Sequence, residues 1–270
     1  MAKTERFIAT IALEDPAEVA SDTLVAKLER MFPILENRIT SVGVDQAQPG
    51  SNLLKIDDTV VTVIPVAAPA PPDAFAQAIR TDRLWPEAQE ELGRHQAILI
   101  VSHLGTVNDL AGAFDAAVCT TMIVMALLEM TPAIGLYWHA AETVTPTERA
   151  KELGIALARG ELPLEIWTKM HWFRGPLESA GSQPAVGVLV AGLEPFVGRD
   201  LELLPSHADP RAVAQRAIDI TTYLLHNGPV LKDGDTADVS DGAALTVKLA
   251  MSGHWPRPLP VFQITERTKQ

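Results

Sequence analysis

Between Asp115 and Glu129 the chain runs thirteen residues, AAVCTTMIVMALL, without a charge. That falls short of the roughly twenty apolar residues needed to cross a bilayer, so the sequence predicts a helix buried in a core. The run lies inside a longer helical segment, Asp109–Met130, that Pro132 ends. A continuous apolar stretch, AILIV at 97–101, precedes it and suits the centre of a sheet; IGLYWH at 134–139 follows it. Strand, long helix and strand in that order make a crossover unit, so these two strands are expected to run parallel.

The same patterns recur on both sides. FIATIAL at 7–13 and VVTVIPV at 60–66 read as strands, with Pro65 placing the second at an edge or a strand end. Ile39–Asp45 is a weaker third. Leu24, Val25, Leu28 and Met31 recur at helical spacing between Ser21 and Pro33. Further on, helices are expected from Arg149 to Arg159 and from Pro210 to His226. Strands are expected at 185–191, 200–204, 245–250 and 259–264, with the 200–204 strand antiparallel to the one before it. Asn227-Gly228 caps the second of those helices, and Lys232-Asp233-Gly234-Asp235 is a turn. The fold class is therefore α+β, mixed sheets with helices packed on them. The rhythm suggests two similar βαββαβ-like halves, 1–131 and 132–270, joined by the long buried helix, although no residue-level repeat aligns.

Charge and cysteine usage narrow the function classes. The formal net charge of −12 would repel a nucleic acid. Arg257, Arg267 and Lys269, scattered around Glu266, read as a solvated tail and not as a basic footprint. A single cysteine, Cys119, forbids an intramolecular disulfide and suits a reducing compartment. The start, MAKTERFIATIAL, lacks the apolar region of a signal peptide and reads as a first strand. A cytoplasmic location and no membrane partner are the expectations.

No phosphate loop, nucleophile elbow or cofactor fingerprint occurs. Asp233-Gly234-Asp235 lacks the later Glu of a calcium loop, and Cys119 sits inside the apolar helix as a small hydrophobe. No metal site and no cofactor are expected. The candidate chemistry is a set of histidines where parallel strands end, since ligands favour that edge of a sheet. His103 follows AILIV, His139 follows AIGLYW with Glu142 beside it, and His171 could approach from the next connection. A histidine near a carboxylate is the minimum for acid–base work. The competing reading has these histidines bonded to loop carbonyls or water. Trp138, Trp167 and Trp172 with Phe173 form either the core of the second half or an exposed protein-binding patch.

Several strings are recognisable: WPEAQEELGRHQAILIVS at 85–102, GLYWHAAETV at 135–144, LPLEIW at 162–167 and GLEPFVGRDLEL at 192–203. AIDITTYLLHNGPVLKDGDTADVS at 217–240 and LTVKLAMS at 245–252 complete the set. Together they resemble the bacterial domain-of-unknown-function family 4261, from about residue 57 onward. The resemblance implies no reaction and carries over no catalytic residue. Leu203-Leu204 stand where such sequences carry a further acidic residue, which weakens a carboxylate row as a metal site.

Two function classes follow. One is a non-enzymatic protein that docks onto another protein, for example in an immunity-type or secretion-system accessory role. The other is a small hydrolase or metal-dependent enzyme built on His103, His139 and His171. A homo-oligomer formed through an exposed sheet edge is compatible with both.

Overall fold

The computed structural model describes residues 7–43, 50–175, 184–238 and 243–268. The chain divides into two compact units, Met1–Trp167 and Thr168–Gln270.

The first unit contains β1 (Ile8–Leu13), α1 (Ser21–Met31), β2 (Ile39–Gly43), β3 (Asn52–Ile56), β4 (Thr59–Val66), α2 (Ala76–Thr81) and α3 (Ala88–Leu92). It continues with β5 (Ala97–His103), α4 (Leu110–Met130), β6 (Ala133–Trp138), β7 (Thr143–Pro146), α5 (Thr147–Ala158) and α6 (Leu164–Trp167). Its seven strands lie in the order β2-β3-β4-β5-β1-β6-β7. β1 pairs antiparallel with β5 on one side and with β6 on the other. β5 and β6 therefore run parallel, as their connection by α4 requires, but they do not touch: the first strand of the chain is lodged between them. The expected strand over 39–45 runs from Ile39 to Gly43, and Asp45 lies outside the described residues. Pro65 sits beyond Asn52↔Val63, the last pair of the β3 ladder, where its missing N–H costs no strand bond.

α4 is the core helix of this unit and not a link between halves. It packs against β1, β4 and β5 and against α1 and α5. By length and apolar composition it could span a bilayer, yet most of it is buried here. Asp109 caps its start by accepting from the Gly112 N–H at 2.8 Å. Thr120 and Thr121 can be buried in it because their hydroxyls donate back to the carbonyls of Ala116 and Ala117, each at 2.7 Å. The Trp167 indole N–H donates to the Thr121 Oγ1 at 2.9 Å, tying α6 to the same helix. The opposite face of the sheet is covered by α2, α3 and their flanking loops. There Ala12 and Ile98 pack with Phe75, Ala78, Trp85 and Leu92.

The second unit contains β8 (Lys169–Arg174), β9 (Val186–Ala191), α7 (Glu194–Val197), β10 (Asp200–Ser206), α8 (Pro210–Asn227), β11 (Thr236–Asp238), β12 (Ala243–Ser252) and β13 (Leu259–Thr268). The strand order is β11-β12-β13-β10-β9-β8, with β9 and β10 antiparallel as expected and β10 and β13 parallel. α8 packs on β9 and β10, and Gly228, at φ +80°, ends it with its N–H on the Leu224 carbonyl.

Three expectations change. The units do not share a topology, so two similar halves are not what the sequence encodes. β6 and β7 belong to the first sheet because β6 pairs with β1, which moves residues 132–167 out of the second half. Of the residues read as a solvated tail, Arg257 is exposed ahead of β13, whereas Glu266 and Arg267 belong to that interior strand, in which Val261, Phe262 and Ile264 are buried and Glu266 is ion-paired with Arg216; Lys269 lies outside the described residues.

Gly135 shows how tightly the first sheet is filled. A Cβ added there would come within 2.6 Å of the Trp85 ring and 3.1 Å of the Thr145 carbonyl. Gly135→Ala is expected to cost about 1–3 kcal/mol by overpacking. Urea unfolding should show a lower midpoint with an unchanged slope.

Candidate functional site

The register of β1 decides the fate of the histidine cluster. Ile8 pairs with Ser102, and the His103 N–H donates to the Phe7 carbonyl at 2.9 Å. On the other side the His139 N–H donates to the Ile8 carbonyl at 3.0 Å. Both histidines thus reach the same end of the sheet. Side chains alternate between faces along a strand, and paired residues share a face. His103 falls with Leu99 and Val101 on the side of α4, where it is buried. His139 falls with Thr10 on the side of α2 and α3, and its Nε2 lies 2.9 Å from the Thr10 Oγ1. The two imidazoles are separated by the sheet. His171 is on β8 in the other unit, not in a connection, with its ring edge-on to Trp255 at 5.9 Å. His103 and His139 therefore do not share a site on the first sheet.

His139 and Glu142 do share a turn: the Glu142 N–H reaches the His139 carbonyl at 3.3 Å, and Glu142 adopts φ +51°. Tyr137 lies beside them, its ring centroid 4.5 Å from that of His139. Burial, aided by the Glu142 charge, pushes the Tyr137 hydroxyl up to about 12. Loss of hydration lowers the His139 pKa from its ordinary value, although the residue keeps enough solvent exposure to limit that fall. A neutral imidazole on a buried threonine is a satisfied strand end.

The tryptophans divide by burial. Trp138 is 1% exposed and Trp167 0%, so neither can join an exposed patch. Trp138 packs with Phe7 at 6.0 Å, and Trp167 with Phe114 at 5.9 Å. Trp172 alone of the expected four is exposed, at 40%, while Phe173 is half-buried under the His254 ring at 3.7 Å.

Sequence reasoning missed a polar network in the second unit. Asp200 and Glu202, two residues apart on β10, project to one face of the sheet and are both buried. The Ser252 hydroxyl donates to the Glu202 Oε1 at 2.9 Å, and the Gln263 amide donates to Oε2 at 2.9 Å. The His254 ring approaches the same carboxylate at 3.7 Å, and the His254 backbone N–H donates to the Ser252 Oγ at 3.1 Å. Asp200 accepts from the N–H groups of Leu193 at 2.8 Å and Glu194 at 3.1 Å. Burial pushes its carboxyl up to about 7 against the pull of those donors. These carboxylates tie strands and a turn together. Among the described residues no group of three or more His, Cys, Asp or Glu side chains could hold a metal ion.

The open site lies in the first unit, where β1 ends and β3 and β5 begin. The segment 16–21 walls a cleft of about 790 Å³ together with Gly50–Asn52, Pro65–Ala67, Ala97 and Ile98. That volume falls within the range of about 300–1,000 Å³ usual for ligand sites. Buried Asn52 fixes the wall: its amide donates to the Val19 carbonyl at 2.7 Å, and its Oδ1 accepts from the Ser21 hydroxyl. Among the described residues Glu18 is the one charged residue in the lining, and exposed Glu14 and Asp15 precede it on the same segment.

Residues 190–258 match the domain of unknown function DUF4261. The matched part holds GLEPFVGRDLEL, which spans α7 and the start of β10, the turn after α8, and Glu202 with Ser252 and His254 of its network, while Gln263 lies beyond it; it is narrower than the resemblance read from residue 57. Comparison with curated proteins and with solved structures gives no match.

Two outcomes follow from this geometry. Asn52→Ala should destabilise the chain by about 1–3 kcal/mol, since it leaves buried polar groups unpaired, and should speed proteolysis within 14–20. For Asp200, a folded pKa above the unfolded one means stability that is complete below about pH 4 and lost as pH rises through about 7. Asp200→Asn keeps the acceptor and removes the charge, so its stability relative to the parent should rise with pH across that window. Parallel stability curves would contradict this.

Proposed function

We propose that this chain, a carrier of the DUF4261 domain, works by docking onto a basic protein partner through its first unit. The observation that carries this reading is the distribution of charge. The first unit has 12 Lys and Arg against 23 Asp and Glu, whereas the second has 10 against 11. The acidity of the whole chain therefore resides almost entirely in one unit, which also holds the open cleft. Some of those acids are committed to internal pairs: Asp57 with Arg38, Glu165 and Glu152 with Arg149, and Glu148 with Lys151. Surface pairs of this kind add little stability, and they do not change the unit's excess of negative charge.

A single-sign field of this size steers a cationic partner and repels polyphosphates. An immunity-type or secretion-accessory role, covering a basic effector, is the concrete form of this reading. It makes no use of the histidines.

Affinity capture from the native host, with the full chain as bait, tests the proposal. A stoichiometric basic partner should be recovered, and the variant Glu14→Gln, Asp15→Gln, Glu18→Gln should recover it weakly. Recovery of no stoichiometric partner, or of one that the triple variant and high salt leave untouched, would count against docking by charge.

A further inference from the structure

The cleft of the first unit has a size, a lining and a charge that together select one class of ligand. Leu13, Pro16, Pro65, Val66 and Ile98 give it apolar walls. Among the described residues Glu18 supplies the one charge of the lining and no Lys or Arg joins it, and exposed Glu14 and Asp15 lie in the chain between Leu13 and Pro16 of the lining and form its rim. Its wall is preset, since Asn52 holds the Val19 carbonyl and Ser21 against β3, so little ordering is needed on binding.

We propose that this cleft receives an extended segment of the partner in which small apolar residues alternate with lysine or arginine. The apolar side chains would lie against the walls while the cationic ones reach Glu18 and the rim. This inference rests on the docking reading above and adds where, and in what conformation, the partner is held. An anionic segment is the alternative occupant, because α1 begins at Ser21 with no side-chain cap on its first N–H groups. The charge of the lining argues against it.

Fluorescence anisotropy with the full chain and a labelled peptide of alternating lysine and alanine tests the assignment, with a glutamate–alanine peptide as control. The lysine peptide should bind saturably at one site and the glutamate peptide should not. Glu18→Gln should weaken binding about two- to five-fold, the worth of one exposed charge pair. Ala17→Trp, which fills the cleft from a surface segment, should abolish binding while leaving the thermal midpoint unchanged. Full affinity in Ala17→Trp would overturn the cleft assignment and leave docking by general surface charge standing. Equal binding of the glutamate peptide, or no binding of the lysine peptide, would also overturn it. Capture of a basic partner by the same protein would then show that the docking reading survives.

Discussion

The first unit depends on one insertion: β1 lies between β5 and β6 and bonds to both. Without it, the strand–α4–strand connection would bring its two parallel strands side by side. With it, every neighbour in the seven-stranded sheet is antiparallel, and α4 crosses behind three strands instead of two. The same insertion sets the chemistry of the sheet end. His103 and His139 flank the start of β1, yet a one-residue difference in register sends them to opposite faces. A pair of imidazoles that the sequence places at one sheet end is divided by the pleat of the strand between them.

This explains which parts of the fold were legible in the sequence. The helix over 110–130 was, because an uncharged run between Asp115 and Glu129 has few alternatives in a core. So were β5, β6, the β9–β10 hairpin and the end of α8 at Gly228, whose positive φ only glycine adopts freely. The parallel direction of β5 and β6 followed from connection length. The insertion of β1 did not, since strand order depends on pairing of β1 with segments about 90 and about 125 residues away and leaves no local trace. β7 and β8 were missed for a different reason. They are short edge strands whose apolar alternation is interrupted by threonine, histidine and lysine, and a buried threonine such as Thr143 is satisfied by a distant partner, its hydroxyl donating to the Ile166 carbonyl.

The polar interior of the second unit was illegible for a related reason. DLEL reads as a strand with a short carboxylate row, and Asp200 and Glu202 point into a face covered by the loop of His254 and Trp255. Their burial is tolerable because backbone N–H groups, Ser252 and Gln263 supply donors from segments far apart in sequence. Leu204, next on the same face, ends the row. The acidity that the composition announced is instead a property of the first unit, and only the division of the chain revealed it. Charge concentrated on one unit, beside a cleft with a fixed wall, is the observation on which the proposed docking role rests.

Hydrogen–deuterium exchange of the full chain, with and without the proposed basic partner, tests docking through the first unit. The account predicts slowed exchange in 14–21 and around 50–52, with β8–β13 unaffected. Protection confined to the second unit, with the segment 14–21 unchanged, would contradict it.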